Sequence, residues 1–139
     1  DYNRASIAFL LEEEVTQEMV LMLGDCDYDI VEKKLRDLGY AKNNKLKLKY
    51  VKLSHHGSIG TLKNSFLELV ECNNYLISTD GKSYNHPNKK TLARIWSTNE
   101  QARFYFNYEK LINKIFIKDM EDSYRLKCEK YQFTGEKNE

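Results

Sequence analysis

Short apolar runs along the chain predict the strands of a sheet. Residues 7–11 and 19–23 form two such runs, separated by an acidic, polar stretch, and predict neighbouring strands joined by a turn. The second run is apolar at every position, which is typical of an interior strand with both faces covered. Further strands are predicted at 46–53, where leucines alternate with lysines, at 75–78 and at 103–108. A last strand is predicted near the carboxyl end, where every second residue is apolar at Tyr124, Leu126 and Cys128, and Tyr131 and Phe133 follow.

Several segments between these runs have apolar residues at helical spacing. The first helix is predicted by a capping box, an apolar stripe and a terminal glycine: Asp29 and Glu32, then Val31, Leu35 and Leu38, then Gly39. Two more stripes predict a second and a third helix: Leu62, Phe66, Leu69 and Val70, then Leu92, Ile95 and Trp96 after Pro87. Residues 110–117 fit a helix or a strand. The alternation of strands and helices predicts a single α/β domain over 1–139, with a frayed tail at 135–139.

Composition narrows the class of protein. The 139 residues include 22 basic and 21 acidic side chains, so the net charge of +1 gives no electrostatic argument for a nucleic-acid partner or an anionic membrane. No apolar run approaches the roughly 20 residues that a membrane helix needs. The three cysteines are widely spaced and form no Cys-x-x-Cys pair. This spacing argues against a disulfide framework or a zinc knuckle and favours a reducing, cytoplasmic compartment.

Polar residues follow three of the predicted strands. They are Gly24-Asp25, His55-His56-Gly57-Ser58, and the segment 80–86 with Asp80 and His86. Because strand–helix units place successive strand ends on one edge of a sheet, we expect the three segments to converge. A carboxylate with imidazoles is the ligand set of Zn²⁺, Mn²⁺ or Fe. If extended backbone continues through the two adjacent histidines, their side chains point to opposite faces and one of them faces the site.

Three of these residues also have ordinary structural interpretations. Asp25 could cap the helix that follows it, and His86 could cap a helix or shape the turn before Pro87. Asp80 with Gly81 is typical of a turn. The residues alone leave these alternatives open.

Other polar and aromatic residues have simpler explanations. Cys26, beside the acid, is more typical of a small buried residue than of a nucleophile. The lysines at 45, 47, 49 and 52 fit the solvated face of a strand better than a phosphate-binding groove. The aromatic run within 104–108 fits core and sheet surface better than a base-stacking patch.

Taken together, three segments resemble a known family. Leu-Met-Leu-Gly-Asp at 21–25, Val-Lys-Leu-Ser-His-His-Gly-Ser at 51–58, and Ile-Ser-Thr-Asp-Gly at 77–81 with His86-Pro87, resemble the carboxyl-terminal half of a metallo-β-lactamase-fold hydrolase. The resemblance is closest to the branch that includes the soluble domain of the bacterial competence DNA-uptake channel and related stand-alone or defence-associated hydrolases. It runs from about residue 6 to residue 108 and is most specific at the paired histidines.

The resemblance implies a fold and a chemistry. The fold is a metallo-β-lactamase-like αββα sandwich, of which this chain would supply the carboxyl-terminal half, a mixed sheet with flanking helices. Asp25 matches the aspartate that bridges two metal ions, Zn²⁺ or Mn²⁺. His56, followed by Gly57 as the family's ligand is followed by glycine, matches a ligand of the second ion. His55 and His86 are the remaining catalytic candidates for hydrolysis of a phosphodiester or nucleic-acid-related substrate by metal-activated water.

One segment of the family pattern is absent from this sequence. The His-x-His-x-Asp-His segment, which supplies most ligands of both ions, does not occur, and the only histidines are 55, 56 and 86. We therefore expect a partial domain that is inactive alone, binds little or no metal, and needs as its partner the missing amino-terminal half of the fold or another chain. The apolar surface left open predicts homodimerisation or aggregation. The alternative is a non-catalytic binding or assembly module derived from the same fold.

Overall fold

The computed structural model describes residues 5–60, 62–82, 84–116 and 122–132. Within these ranges the main element is a mixed six-stranded sheet with helices, which confirms the predicted α/β class. The strands are β1 (Phe9–Glu12), β2 (Met19–Met22), β3 (Leu46–Lys47), β4 (Tyr50–Lys52), β5 (Val70–Glu71), β6 (Asn74–Ile77), β7 (Arg103–Phe106) and β8 (Cys128–Lys130). The helices are α1 (Tyr28–Asp37), α2 (Asn64–Leu67), α3 (Lys89–Thr98), α4 (Lys110–Ile115) and α5 (Asp122–Arg125), with a 3₁₀ turn at Ser54–Gly57.

The strands of the main sheet lie in the order β1-β2-β4-β6-β7-β8. β1 runs antiparallel to β2, with Phe9 opposite Met22, so the predicted pair of neighbouring strands is confirmed. From β2 to β8 each strand is parallel to its neighbour. β3 and β5 form a separate parallel pair. The carboxyl ends of β2, β4 and β6 consequently lie side by side on one edge of the main sheet.

The single strand predicted at 46–53 is divided between the two sheets. The backbone N–H of Leu48 donates to the carbonyl of Glu71 in β5 over 2.9 Å. The N–H of the next residue, Lys49, donates instead to the carbonyl of Met19 in β2 over 2.8 Å. The chain changes sheets at this step, which the alternation of leucine and lysine does not reveal.

The two faces of the main sheet are packed differently. Each crossover from β2 to β8 advances the order by one strand in the same direction, and because such crossovers are right-handed, their helices lie on the same face. On this covered face, one residue from each parallel strand lies in register and is at most 8% exposed: Leu21, Val51, Tyr75, Phe104 and Cys128. The next residues form a half-exposed row on the open face: Met22, Lys52, Leu76, Tyr105 and Glu129.

The packing of β1 and β2 corrects one prediction. β2 lies inside the sheet as predicted, but Val20 and Met22 are half-exposed, so the prediction that both of its faces are covered is wrong. At the edge, β1 exposes Phe9 by 46%, Leu10 by 44% and Leu11 by 53%. An exposed apolar surface is therefore present along β1 and β2, and whether it belongs to a half sandwich stays a prediction.

The helices agree with the predicted stripes, with local differences. In α1 the predicted capping box is not formed: Asp27 occupies the N-cap position, and Asp29 pairs instead with Lys63 over 2.5 Å. Gly39, at φ 91°, ends the helix as predicted. α2 is a single turn, because Val70 of its predicted stripe already belongs to β5.

The carboxyl-terminal region resolves one ambiguity and corrects one boundary. Residues 110–115 of the ambiguous segment form α4. The last strand is confirmed at β8, but Tyr124 lies in α5, before that strand begins. Phe133 and the predicted frayed tail at 135–139 lie outside the described residues.

The three cysteines are buried and form no disulfide bond: Cys26, Cys72 and Cys128. The cysteine spacing had argued against a disulfide framework. Within the described ranges, no helix has the length and apolar character required to cross a bilayer.

Candidate metal and catalytic site

The predicted convergence of polar strand ends is confirmed at the rim of the main sheet. Asp25 follows β2, the histidine turn Ser54–Gly57 follows β4, and Ser78 follows β6. The backbone N–H of His55 donates to the carbonyl of Gly24 over 3.0 Å, which joins the first two segments directly. Three neighbouring parallel strands thus deliver a carboxylate, two imidazoles and a carbonyl to one place.

The position of Asp25 depends on the glycine before it. Gly24 has φ 53°, and a Cβ there would lie 2.8 Å from Ser6 Oγ and 2.9 Å from the carbonyl oxygen of Ile7. Ser6 Oγ accepts a 2.9 Å hydrogen bond from the backbone N–H of Asp25, which fixes the turn. The N-cap of α1 is Asp27. The structure therefore does not support the interpretation of Asp25 as the helix cap.

The two histidines are not in extended backbone, so the condition under which they would point to opposite faces of a strand is not met. His55 has φ 45° and ψ 45°, and His56 has φ 55° and ψ 22°, both left-handed conformations. Gly57 follows at φ 84°, and a Cβ there would lie 2.8 Å from Pro87 Cβ. Left-handed non-glycine residues are uncommon and persist where surrounding contacts hold them.

Buried hydrogen bonds hold this turn. Ser54 Oγ donates to the carbonyl of Cys26 over 2.6 Å, and the Ser54 N–H donates to the hydroxyl of Tyr28 over 3.3 Å. On the other side, Thr91 Oγ1 donates to the carbonyl of Gly57 over 2.8 Å. The backbone of the turn is therefore anchored both to α1 and to α3.

Asp25 and His56 form the centre of the candidate site. His56 Nε2 lies 3.8 Å from Asp25 Oδ1, and the two side chains are 43% and 47% exposed. The other ring nitrogen, Nδ1, lies 2.5 Å from the carbonyl oxygen of Ser78. Because a carbonyl can only accept, Nδ1 carries the proton, and in this neutral tautomer the unprotonated nitrogen, Nε2, is the one near Asp25.

The distance between Asp25 and His56 is close to that of two ligands on one metal ion. Two ligand atoms bound at about 2.0 to 2.2 Å to one tetrahedral zinc ion lie about 3.3 to 3.6 Å apart, and the 3.8 Å between Asp25 Oδ1 and His56 Nε2 is slightly longer. Metal-binding histidines commonly donate their second ring N–H to a carbonyl, as His56 does to Ser78. Among the described residues no group of three or more His, Cys, Asp or Glu side chains is placed to hold a metal. The described residues thus offer a pair of candidate ligands, whereas a zinc site needs four.

The third histidine completes a cluster of imidazoles. The ring centroid of His55 lies 5.5 Å from that of His86 and 6.4 Å from that of His56. His86 Nδ1 is buried and has no hydrogen-bond partner within the described part of the chain. Burial lowers the pKa of His86, and the nearby His55 and His56 lower it further.

The alternative interpretations of the third segment are resolved in part. The N-cap of α3 is Asn88, whose side chain accepts a 2.9 Å hydrogen bond from Lys90, so His86 is not the cap. Asp80 Oδ1 accepts a 3.0 Å bond from the backbone of Lys82, which also lowers the pKa of Asp80. Asp80 is therefore a turn residue, as predicted.

Sequence reasoning missed Lys52. We assigned it to a solvated lysine face, but it lies half-buried on the open face, in register with Met22 and Leu76. Burial lowers the pKa of Lys52, and the neighbouring charge of Asp25 opposes that shift. The useful signal was its position at the end of β4, directly before the histidine turn.

Cys26 is buried as predicted, and desolvation raises the pKa of its thiol, so a nucleophilic role has no support.

No protein-family model matches the chain, and no curated protein or solved structure matches it either. The resemblance to metallo-β-lactamase-fold hydrolases therefore depends on the residues themselves and on their geometry.

Proposed function

We propose that this chain supplies one half of a metal-dependent hydrolase site of the metallo-β-lactamase type, acting on a phosphodiester or nucleic-acid-related substrate. The observation that carries the proposal is the orientation of His56: its Nδ1 is occupied by the carbonyl of Ser78, and its Nε2 is directed to Asp25 at 3.8 Å. A lone pair opposite a carboxylate is an unfavourable pair unless a proton or a cation lies between them. A divalent metal satisfies both groups.

Each residue of the candidate site would have a separate role. Asp25 and His56 would hold a Zn²⁺ or Mn²⁺ ion, with two ions in the complete enzyme. When bound, the metal would supply a water activated for attack on the electrophile. His86, with His55 beside it, would hydrogen-bond the substrate. Lys52 adds a positive charge near Asp25 that favours an anionic substrate.

The open face of the sheet supports the other half of the proposal. An αββα sandwich packs two sheets face to face, each with helices on its outer side, and this chain has helices on one face and a half-exposed row on the other. We propose that a second sheet, from another segment of the same polypeptide or from another chain, covers the open face. That sheet would also bring the remaining metal ligands to the rim.

Zinc titration of the 139-residue chain tests the assigned ligands. We expect weak binding, since two ligands leave the coordination incomplete while ordering and desolvation still have to be offset. Asp25→Asn and His56→Gln should each weaken binding about tenfold or more. Asp37→Asn is the matched control, because Asp37 is an exposed acid paired with Lys33 in α1, and it should leave the affinity unchanged.

Two outcomes of this titration would contradict the proposal. One tightly held ion per wild-type chain would contradict the argument that the site is partial. Equal zinc affinity for the wild type and Asp25→Asn would remove Asp25 from the ligand set. Catalysis is tested with a short single-stranded oligonucleotide in Mn²⁺: the chain alone should not exceed background, and a complex supplying the other half should cleave unless Asp25 is replaced.

A second candidate function is a non-catalytic assembly module. The specific observation in its favour is the edge strand β1, whose apolar side chains are about half exposed on both faces. Exposed edge strands of this kind readily pair with another chain. The two functions differ in one measurement: loss of Asp25 should abolish cleavage in the hydrolase, whereas partner binding by an assembly module should be insensitive to it.

A further inference from the structure

An exposed aromatic side chain extends the histidine cluster at the rim. The ring of Tyr84 lies nearly parallel to that of His86, at an interplanar angle of 25° and a centroid distance of 6.2 Å. His86 in turn lies 5.5 Å from His55 on its other side. Tyr84 is 85% exposed, although a tyrosine ring usually covers apolar surface. The protein therefore presents a nearly uncovered aromatic face immediately beside the candidate catalytic residues.

The backbone holds Tyr84 in this place. Tyr84 has φ 59° and Asn85 has φ 51°, two successive left-handed residues other than glycine. Such conformations persist only where the surroundings fix them, and they are frequent at ligand-binding sites. Lys114 of α4 supplies one fixing contact, donating to Asn85 Oδ1 over 3.2 Å and to the carbonyl of Gly81 over 3.4 Å. The position of the ring is thus a property of the fold of this loop.

The groups at the rim form a continuous row. Asp25 neighbours His56, His56 neighbours His55, His55 neighbours His86, and His86 neighbours Tyr84. Tyr84 neighbours His86 directly, with ring centroids 6.2 Å apart. A substrate whose anionic group binds beside His86 and whose flat ring lies on Tyr84 therefore needs only a short spacer between the two. A nucleotide unit has this form.

We propose that Tyr84 is a specificity-determining residue on which a nucleobase of the substrate stacks, next to the histidine cluster. This inference rests on the proposed phosphodiester hydrolase function and deepens it, because it names a nucleotide as the unit bound. Stacking suits every base, since each has a flat π-face, so the site should accept nucleic acid with little sequence preference. The net charge of +1 is compatible with a contact that depends on stacking more than on a basic patch.

The test compares two phosphates that differ in the base. Thymidine 5′-monophosphate and 2-deoxyribose 5-phosphate are titrated into the 139-residue chain, and binding is followed by two-dimensional NMR. We expect the nucleotide to bind about tenfold or more tightly than the sugar phosphate. Tyr84→Ala should remove that difference and leave sugar-phosphate binding unchanged, whereas Tyr84→Trp should retain it. Tyr108→Ala is the control, because Tyr108 is also an exposed tyrosine but follows β7.

The outcomes separate this inference from the function on which it rests. If both phosphates bind equally at the histidine cluster, or if Tyr84→Ala keeps the preference for the nucleotide, the stacking role is wrong while the proposed hydrolase stands. If neither phosphate perturbs the histidine cluster, the proposed function fails, and the stacking role fails with it. A preference for the nucleotide that is lost in Tyr84→Ala and kept in Tyr84→Trp supports both.

Discussion

The two faces of the main sheet differ although they share the same strands. On β6, Ile77 is fully buried under the helices, whereas its neighbour Leu76 is half-exposed on the open face. The same contrast is found between Leu21 and Met22 on β2. Because side chains alternate along a strand, each strand contributes equally to both faces, and the difference arises from what covers them. The described residues complete one hydrophobic layer and leave the second half-exposed.

The candidate site lies where these two environments meet. Buried hydrogen bonds tie the backbone of the rim to the covered layer. Ser54, in the histidine turn, bonds to the carbonyl of Cys26, and Thr91 bonds to the carbonyl of Gly57; both side chains are buried. The side chains of Asp25 and His56 are nearly half exposed. The covered layer thus fixes the backbone that carries Asp25 and His56, and the uncovered side leaves their side chains accessible.

The largest expected effect separates the two faces directly. Ile77→Ala should lower the free energy of unfolding by about 2 to 5 kcal/mol, because it leaves a cavity in a close-packed layer. Leu76→Ala, the adjacent residue on the open face, should lower it by about 1 kcal/mol or less, because its side chain is already partly hydrated. Urea denaturation of the two variants measures the difference. Equal losses would mean that the open face is packed as tightly as the covered one.

A smaller loss of stability tests whether the histidine turn at the rim is packed tightly. Gly57→Ala should cost about 2 kcal/mol, because alanine must adopt φ 84° and its Cβ would meet Pro87 at 2.8 Å. Gly60→Ala is the matched control in the same loop, since a Cβ there has open space. Thermal or urea unfolding measures both variants. A harmless Gly57→Ala would show that the turn is not held at this φ against Pro87.

We expect the open face to promote self-association and to bind a hydrophobic dye. Leu11→Lys on β1 places a charge on the exposed apolar surface and should reduce both self-association and the binding of a hydrophobic dye. Light scattering and dye fluorescence measure the two effects, with Glu12→Gln as a control for the same change in net charge on the same strand. A wild-type chain that is a clean monomer and binds no dye would contradict the apolar open face.

The smallest effect is a pH dependence at the rim. The pKa of His86 is lowered in the folded chain by burial and by His55 and His56, from an ordinary value of 6.5. As pH falls through 6.5 the unfolded chain binds a proton first, so the folded state loses stability toward acid pH. His86→Gln should therefore flatten the dependence of unfolding free energy on pH between about 5 and 7. An unchanged slope would mean that His86 is not held in its neutral form.

The sequence predicted the order of strands and helices better than it predicted their surroundings. Apolar runs and helical stripes locate β2, β6, α1 and α3, because periodicity reports local geometry. The same run at 19–23 wrongly indicated two covered faces, since hydrophobicity shows that a surface prefers burial and does not show whether a cover is present. The change of sheets at Lys49 was also invisible, because both sheets accept the same alternation.

The sequence predicted which residues come together at the candidate site but did not predict the backbone conformation that holds them. Strand ends of parallel units share an edge, so the meeting of Asp25 with the histidines followed from topology. The left-handed turn did not, because His55 and His56 adopt conformations that depend on contacts with α1 and α3. Lys52 was assigned to solvent because a lysine in an alternating strand usually faces water, and its neighbour Met22 comes from a different strand.

The most direct test of the central claim is the protonation of the His56 ring, measured by ¹⁵N NMR during zinc titration. The account predicts that Nδ1 carries the proton in the free chain at neutral pH, bonded to the carbonyl of Ser78, and that zinc shifts the Nε2 resonance in the wild type but not in Asp25→Asn. A proton on Nε2 in the neutral ring, or a zinc shift at Nδ1, would contradict it, because His56 and Asp25 would then not be oriented to share an ion.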